Sequence, residues 1–166
     1  MRMNPVATRS FDMGLLARVE DAGLNASAPP QQRWIDGWLL RFSPGKAKRA
    51  RCINALAPGR RSVVEKLTHC EAVFAEAGLP LIVRITPFSQ PPGLDTLLEG
   101  MGMRRFDDTR VMVRESLLDL PAAAVPEGVE LQPVGLEAFA QRVGALRGSP
   151  LARRQAHGQR LAQSPV

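Results

Sequence analysis

The chain has 166 residues, of which 45% are hydrophobic, enough for one domain with a core or for one domain and part of another. Its net charge is +6, and two cysteines are too few for a disulfide framework. Neither cysteine has metal-ligand spacing and His69 and His157 are the only histidines, so no zinc site is expected. No apolar run approaches the ~20 residues of a membrane helix, and Met1–Ser10 lacks an apolar signal core. We therefore expect a cytoplasmic protein with no membrane partner.

The first predicted element is a helix over residues 11–24, where apolar residues recur at helical spacing and Gly23 lies near the end. A loop with paired prolines follows, and Trp34–Phe42 then alternates loosely, which predicts one strand. In a single strand Trp34 and Trp38 share a face, which favours a role in covering the core. Asp36, followed by glycine, is interpreted as a turn residue before the strand.

A basic loop is predicted to join this strand to a second, antiparallel strand over Arg51–Leu56. Every charged residue between Asp36 and Glu65 is positive, and two interpretations remain open: an anionic partner, or a solvated hairpin. Nucleic acid is the weakest choice of partner, because no zinc-finger spacing or RNA-binding aromatic motif accompanies the charge. The positive residues are Arg41, Lys46, Lys48, Arg49, Arg51, Arg60 and Arg61.

The best-determined predicted element is a helix over Val63–Ala77. Ser62 and Glu65 have the spacing of a capping box, and Gly78 stands where a left-handed C′ glycine is expected. The turn of residues 57–62 before it is basic. Because the first amide N–H groups of a helix have no partner within the helix, this turn is a candidate anion site.

Further along, Leu79–Thr86 is apolar almost throughout, which predicts a strand covered on both faces. Leu94–Met101 is predicted to be a short helix, and the alternation of Arg110–Arg114 predicts a strand. The segment 120–128 is rich in Ala and Pro, which is typical of a linker. Beyond the linker, a strand over Gly128–Val134 is expected.

Two helices are predicted after that strand, over Leu136–Leu146 and Ala152–Leu161. Three elements are too few to close an independent core, so we expect this part to pack on the first domain, to pair with another chain, or to be mobile.

Several reactive side chains have ordinary structural explanations. Cys70 falls on the apolar stripe of its helix and Cys52 on a strand, which favours buried packing. His69 points about 100° away from Cys70 on a helix, so the two do not form a dyad. Glu71 could act as a base but is more simply a surface carboxylate, and His157 has no evident partner. Asp107 and Asp108 are adjacent acids of the kind found in turns.

The order strand, turn, helix, strand, short helix, strand over residues 52–114 resembles the second half of the GNAT N-acetyltransferase fold, a mixed α/β sheet flanked by helices. In that family, a turn of the form Arg/Gln-x-x-Gly-x-Gly/Ala holds the pyrophosphate of acetyl-CoA with its amides. The resemblance implies Arg60, Arg61, Ser62 and Val63 as cofactor-binding residues. The family glycines align near Arg61 and Val63, so they are replaced here.

The family also has a Leu-Tyr-x-x-x-Gly-Phe segment, whose Tyr often protonates the departing thiolate. Its Tyr aligns with Leu98 and its Phe with Met103, and this sequence has no tyrosine at all. The catalytic residues are therefore unknown.

A narrower resemblance involves Asp36–Arg41 and Arg49–Asn54. These segments are similar to the N-terminal half of bacterial proteins built from two GNAT-like units, of which the second carries the intact cofactor turn. The resemblance implies a GNAT-like unit over 1–119, a linker over 120–128 and the start of a second, incomplete unit over 129–166. The partners it implies are an amine substrate, small molecule or peptide, and a second GNAT unit or a second copy of the chain.

Two functions follow from the resemblance. The first is acetyl transfer from acetyl-CoA to an amine, with weak or no activity expected for this chain alone. The second is a non-catalytic GNAT-like module used in assembly. Nucleic-acid binding through the basic hairpin is a remote third.

Overall fold

The computed structural model describes residues 12–26, 28–43, 47–114, 116, 118 and 125–163. The described residues form a mixed α/β structure with five α-helices and one four-stranded sheet. The helices are α1 (Met13–Ala26), α2 (Val63–Glu76), α3 (Leu94–Gly100), α4 (Leu136–Leu146) and α5 (Leu151–Ala162), and the strands are β1 (Gln32–Ile35), β2 (Trp38–Arg41), β3 (Ile53–Ala55) and β4 (Val83–Arg84).

The sheet has the order β1-β2-β3-β4. The first three strands are antiparallel neighbours, and β4 runs parallel to β3 after the crossover through α2. The predicted antiparallel pairing of the strands on either side of the basic loop is confirmed by the register of Trp38 with Ala55 and of Leu40 with Ile53. The α/β class expected from the sequence is therefore present.

The prediction of one strand over Trp34–Phe42 is wrong, because the segment is a hairpin. Asp36 and Gly37 form its two-residue turn, with φ angles of 45° and 87°. Asp-Gly is favoured in such turns because both central residues need positive φ. The turn also puts Trp34 and Trp38 on opposite faces, and their side chains are 60% and 0% exposed.

Helix α2 agrees with its predicted signals. The Ser62 hydroxyl accepts the Glu65 amide at 3.3 Å, and the Glu65 carboxylate accepts the Ser62 amide at 2.8 Å, which completes the capping box. At the other end Gly78 has a φ of 63°, and the Leu79 amide donates to the Phe74 carbonyl at 2.8 Å. These bonds fix both ends of the helix that follows the candidate site.

The core lies between one face of the sheet and the helices α2 and α3. Its buried side chains are Trp38, Leu40, Ile53, Ala55, Leu67, Cys70, Phe74, Leu94 and Leu98.

The opposite face of the sheet carries polar contacts to α1. The guanidinium of Arg41 donates to the Leu24 carbonyl at 2.8 Å, and Arg84 forms a two-point ion pair with Glu20. Arg41 is thus buried, although the sequence placed it in the charged hairpin. The surface charge of that hairpin is smaller than the sequence suggested.

Three other strand predictions differ from the structure. Only Val83–Arg84 of the segment 79–86 forms strand, and its side chains are half-buried because β4 is the last strand of the described sheet. Neither Arg110–Arg114 nor 128–134 forms strand, and Met112 is 93% exposed. Alternation in these segments has no sheet partner among the described residues, so it does not produce strands.

The later helices agree closely with prediction: α4 has the expected bounds, and α5 extends the predicted helix by one residue at each end. They pack closely, because the aliphatic part of the Arg154 side chain occupies the space where a Cβ of Gly144 would lie. Of the predicted linker, residues 120–124 lie outside the described residues, as do Phe11 and Lys46.

Candidate functional site

The candidate site is where the Asp36–Gly37 turn meets the loop before α2. One carboxylate oxygen of Asp36 accepts the backbone amide of Arg60, and the other accepts the amide of Arg61, each at 2.9 Å. The Ala57 amide donates to the Gly37 carbonyl at 2.9 Å and holds the two segments together. The amides that the sequence assigned to an anionic ligand are therefore bound to a carboxylate of the chain itself.

The next amide is also occupied, since the Ser62 N–H donates to Glu65. Three successive amides, those of Arg60, Arg61 and Ser62, are thus bound by two carboxylates of the chain. Hydrogen bonds from Ser62 lower the pKa of Glu65, as expected for a carboxylate at a helix N-terminus. Val63 is the first residue of α2.

Lys66 completes the site from the core side. Its ammonium lies 3.3 Å from the Asp36 carboxylate, with a side chain only 3% exposed, and 5.0 Å from the centre of the Trp38 ring. The Trp38 indole N–H donates to the Gln90 carbonyl at 3.1 Å, which fixes the ring. A buried ammonium is costly unless it is paired, so Asp36 and Lys66 depend on each other.

Two glycines make this arrangement sterically possible. A Cβ on Gly59 would collide with the Asp36 carboxylate and main-chain carbonyl and with the Lys66 ammonium. A Cβ on Gly37 would lie 2.5 Å from the carbonyl oxygen of Ala57 and 2.8 Å from that of Pro58. The close approach of the turn to the loop therefore requires glycine at both positions.

The pKa of Asp36 is lowered from its usual 3.8 to about 2, first by the amides of Arg60 and Arg61 and then by Lys66. Because the folded pKa is below the unfolded one, this contribution to stability is complete above pH 3.8 and is lost as pH falls through about 2. We expect the free energy of unfolding to fall across this window. Urea denaturation at a series of pH values measures it.

In Asp36→Asn this acid-dependent loss should be smaller, since no carboxylate is present to titrate. Asp108→Asn removes an exposed carboxylate elsewhere and should follow the wild type. Parallel pH profiles for the wild type and Asp36→Asn would contradict the assigned contact.

The side chains of Arg60 and Arg61 are exposed beside a cleft of about 570 Å³. A guanidinium N–H of Arg61 lies 3.0 Å from Nε2 of His69, whose Nδ1 lies 3.0 Å from the Glu65 carbonyl. A carbonyl only accepts, so Nδ1 carries the proton and Nε2 accepts from Arg61. The lining residues are Arg33, Trp34, Ile35, Asp36, Arg60, Arg61 and His69.

The cysteines do not join the site. Both are free and buried, and burial raises the pKa of Cys52 and raises that of Cys70 to about 11. A buried thiol with a raised pKa is a poor nucleophile. The expectation that they are packing residues agrees with this environment.

The other candidates are also dispersed. Glu71 is exposed on α2, Asp107 pairs with Lys48, and Asp108 is exposed. His157 on α5 lies 3.2 Å from a guanidinium nitrogen of Arg160, and burial lowers its pKa. Within the described ranges, no group of three or more His, Cys, Asp or Glu side chains could hold a metal ion.

The sequence interpretation missed the two residues that define the site, Asp36 and Lys66. Lys66 had a usable signal, since it lies three residues after Val63 and four before Cys70, on the apolar stripe of α2. A lysine at such a position needs a partner within the fold. Asp36 was recognised only as a turn residue, because its contact to the loop joins residues 24 apart.

The two positions that align with the Tyr and the Phe of the family's Leu-Tyr-x-x-x-Gly-Phe segment both carry apolar side chains. Leu98 is buried in the core, and Met103 packs against it.

Comparison with known proteins identifies no relative: no family model, no curated protein and no solved structure matches this chain. None of the described helices has the length and hydropathy of a membrane span.

Proposed function

We propose that the protein is a GNAT-type N-acetyltransferase component, working in acetyl transfer from acetyl-CoA to an amine. The observation that supports this most is the β3–α2–β4 unit, in which two parallel strands are joined by a helix with a capped N-terminus. The helix α3 follows in the order that the resemblance to the GNAT fold implies, whereas the closing strand of that order, expected over Arg110–Arg114, is not formed.

The residues at the start of α2 do not fit the acetyl-CoA pyrophosphate in the way the family uses them. The amides of Arg60, Arg61 and Ser62 are already bound to carboxylates, and the family's glycines are absent. These three amides are therefore not free to bind the pyrophosphate. In this proposal the described unit supports a second GNAT unit that carries an intact cofactor turn.

The experiment that tests the proposal is an acetylation assay with the whole chain, acetyl-CoA and a panel of amines and lysine peptides, with mass detection of products. We expect slow product formation above the protein-free blank, with a rate that rises linearly with acetyl-CoA because the cofactor is held by few contacts. Absence of product above the blank for every amine would favour the non-catalytic module over catalysis by this chain.

The double variant Arg60→Ala/Arg61→Ala is the matched comparison in this assay. The guanidinium groups that it removes are exposed and contribute little to the fold, so the variant should remain folded. A rate several-fold lower than that of the wild type would assign cofactor contacts to these side chains. An unchanged rate would remove them from the site.

The second candidate is a non-catalytic GNAT-like module used in assembly. The observation that favours it is the internal binding of the loop amides by Asp36. It predicts self-association or binding of a second GNAT unit, and solution scattering from a compact monomer would count against it.

A further inference from the structure

The start of α2 has the donors of an oxyanion site, and one of the chain's own side chains fills it. Two backbone amides that directly precede α2 and the buried ammonium of Lys66 from its first turn converge on the carboxylate of Asp36. We propose that Asp36 is a built-in occupant of this oxyanion site, and that its contact keeps phosphate-bearing ligands out of the start of α2. The inference goes beyond acetyl transfer and does not depend on it.

The contact is more than a local helix cap. Asp36 belongs to the turn between β1 and β2, whereas the capping box of α2 is already complete with Ser62 and Glu65. Both oxygens of the Asp36 carboxylate are used, one for each amide, and Lys66 adds the charge from beneath. Two oxygens of a phosphate could take the same donors, because backbone amides at helix N-termini bind phosphate in this way.

A ligand that used these donors would compete directly with Asp36. The carboxylate is fixed to the site by a two-residue turn, so its effective concentration is high compared with that of a free ligand. The absence of a Cβ at Gly59 lets the turn come close enough to reach the loop. Displacement of Asp36 would also leave its charge separated from the ammonium of Lys66.

The variant Asp36→Gly tests the proposal, because glycine tolerates the positive φ of this turn position while the carboxylate is removed. Thermal unfolding is measured in phosphate, in pyrophosphate and in acetyl-CoA, each against chloride at equal ionic strength. For the variant we expect a saturable rise in Tm of roughly 5 °C at ten times the Kd. For the wild type we expect no rise beyond that in chloride.

The arms distinguish the possible sources of the phosphate group. A response to inorganic phosphate assigns the site to any small oxyanion. A response to pyrophosphate or acetyl-CoA alone assigns it to diphosphates. Equal responses of the wild type and Asp36→Gly in every arm would overturn the proposal.

Two further variants keep the test decisive. In Asp36→Gly/Lys66→Met the ammonium is lost while an apolar stem remains over Trp38, and the response to phosphate should largely disappear. If Asp36→Gly does not fold, Asp36→Asn keeps the turn and one acceptor, and its response should still exceed that of the wild type. An Asn variant that responds as the wild type does would then contradict the proposal. Because the readout is binding, a negative acetylation assay does not affect it.

Discussion

Replacing Gly37 with alanine is expected to destabilise the protein by about 3 kcal/mol or more, as measured by urea denaturation. The φ angle of Gly37 is 87°, a left-handed conformation that costs other residues about 1–3 kcal/mol. The added Cβ would also lie 2.5 Å from the Ala57 carbonyl oxygen, a contact that forces the turn away from the loop. The Asp36 carboxylate would then lose its position over the amides.

Gly102→Ala is the matched control for this prediction. Gly102 has a similar φ of 83°, but among the described residues, apart from its chain neighbours, no atom lies within 4 Å of its added Cβ. Only the conformational strain then remains, and the expected loss is about 1–2 kcal/mol. Equal losses in the two variants would show that the packing of the turn against the loop contributes nothing.

Replacing Trp38 with alanine is expected to cost about 3–5 kcal/mol, the usual range for a buried aromatic residue. The Trp38 side chain is fully buried, donates to the Gln90 carbonyl, and lies beneath the ammonium of Lys66. Its removal leaves a cavity and takes away the surface on which Lys66 rests. The midpoint of urea denaturation should fall accordingly.

Trp34→Ala provides the comparison, since Trp34 stands on the preceding strand and is 60% exposed. Its loss should change stability by no more than about 0.5 kcal/mol, as for most surface substitutions. The pair also tests the hairpin itself. If Trp34 and Trp38 shared one face of a single strand, the two variants would be destabilised to a similar extent.

Local signals in the sequence predicted the helices well. The capping box of Ser62 and Glu65 and the terminal glycine Gly78 are contacts between near neighbours, so the sequence contains all their partners within a few residues. The bounds of α4 were likewise predicted from helical periodicity. These elements needed no information from distant parts of the chain.

The strands were predicted less well for a physical reason. A strand forms only where a neighbour satisfies its backbone groups, and alternation does not reveal whether such a neighbour exists. Arg110–Arg114 alternates but has no strand partner among the described residues. Within 34–42, the Asp-Gly pair was the stronger signal, because its preference for positive φ requires a reversal of the chain.

The site itself was only half visible in the sequence. The basic turn and the helix N-terminus marked the position of an anion site, but the anion that occupies it comes from a turn more than twenty residues earlier. Sequence spacing cannot place Asp36 over the amides of Arg60 and Arg61 until the hairpin is known. Once it is known, the buried Lys66 has an evident partner.

The most direct test of this account is an NMR titration that follows the backbone amides of Arg60 and Arg61 in the wild-type chain. Because both amides are bound to the Asp36 carboxylate, we expect their resonances to shift together as pH falls, with a pKa of about 2, and to be unchanged by acetyl-CoA at neutral pH. A saturable shift of both amides on addition of acetyl-CoA at neutral pH would contradict it, because those donors would then be available to a cofactor.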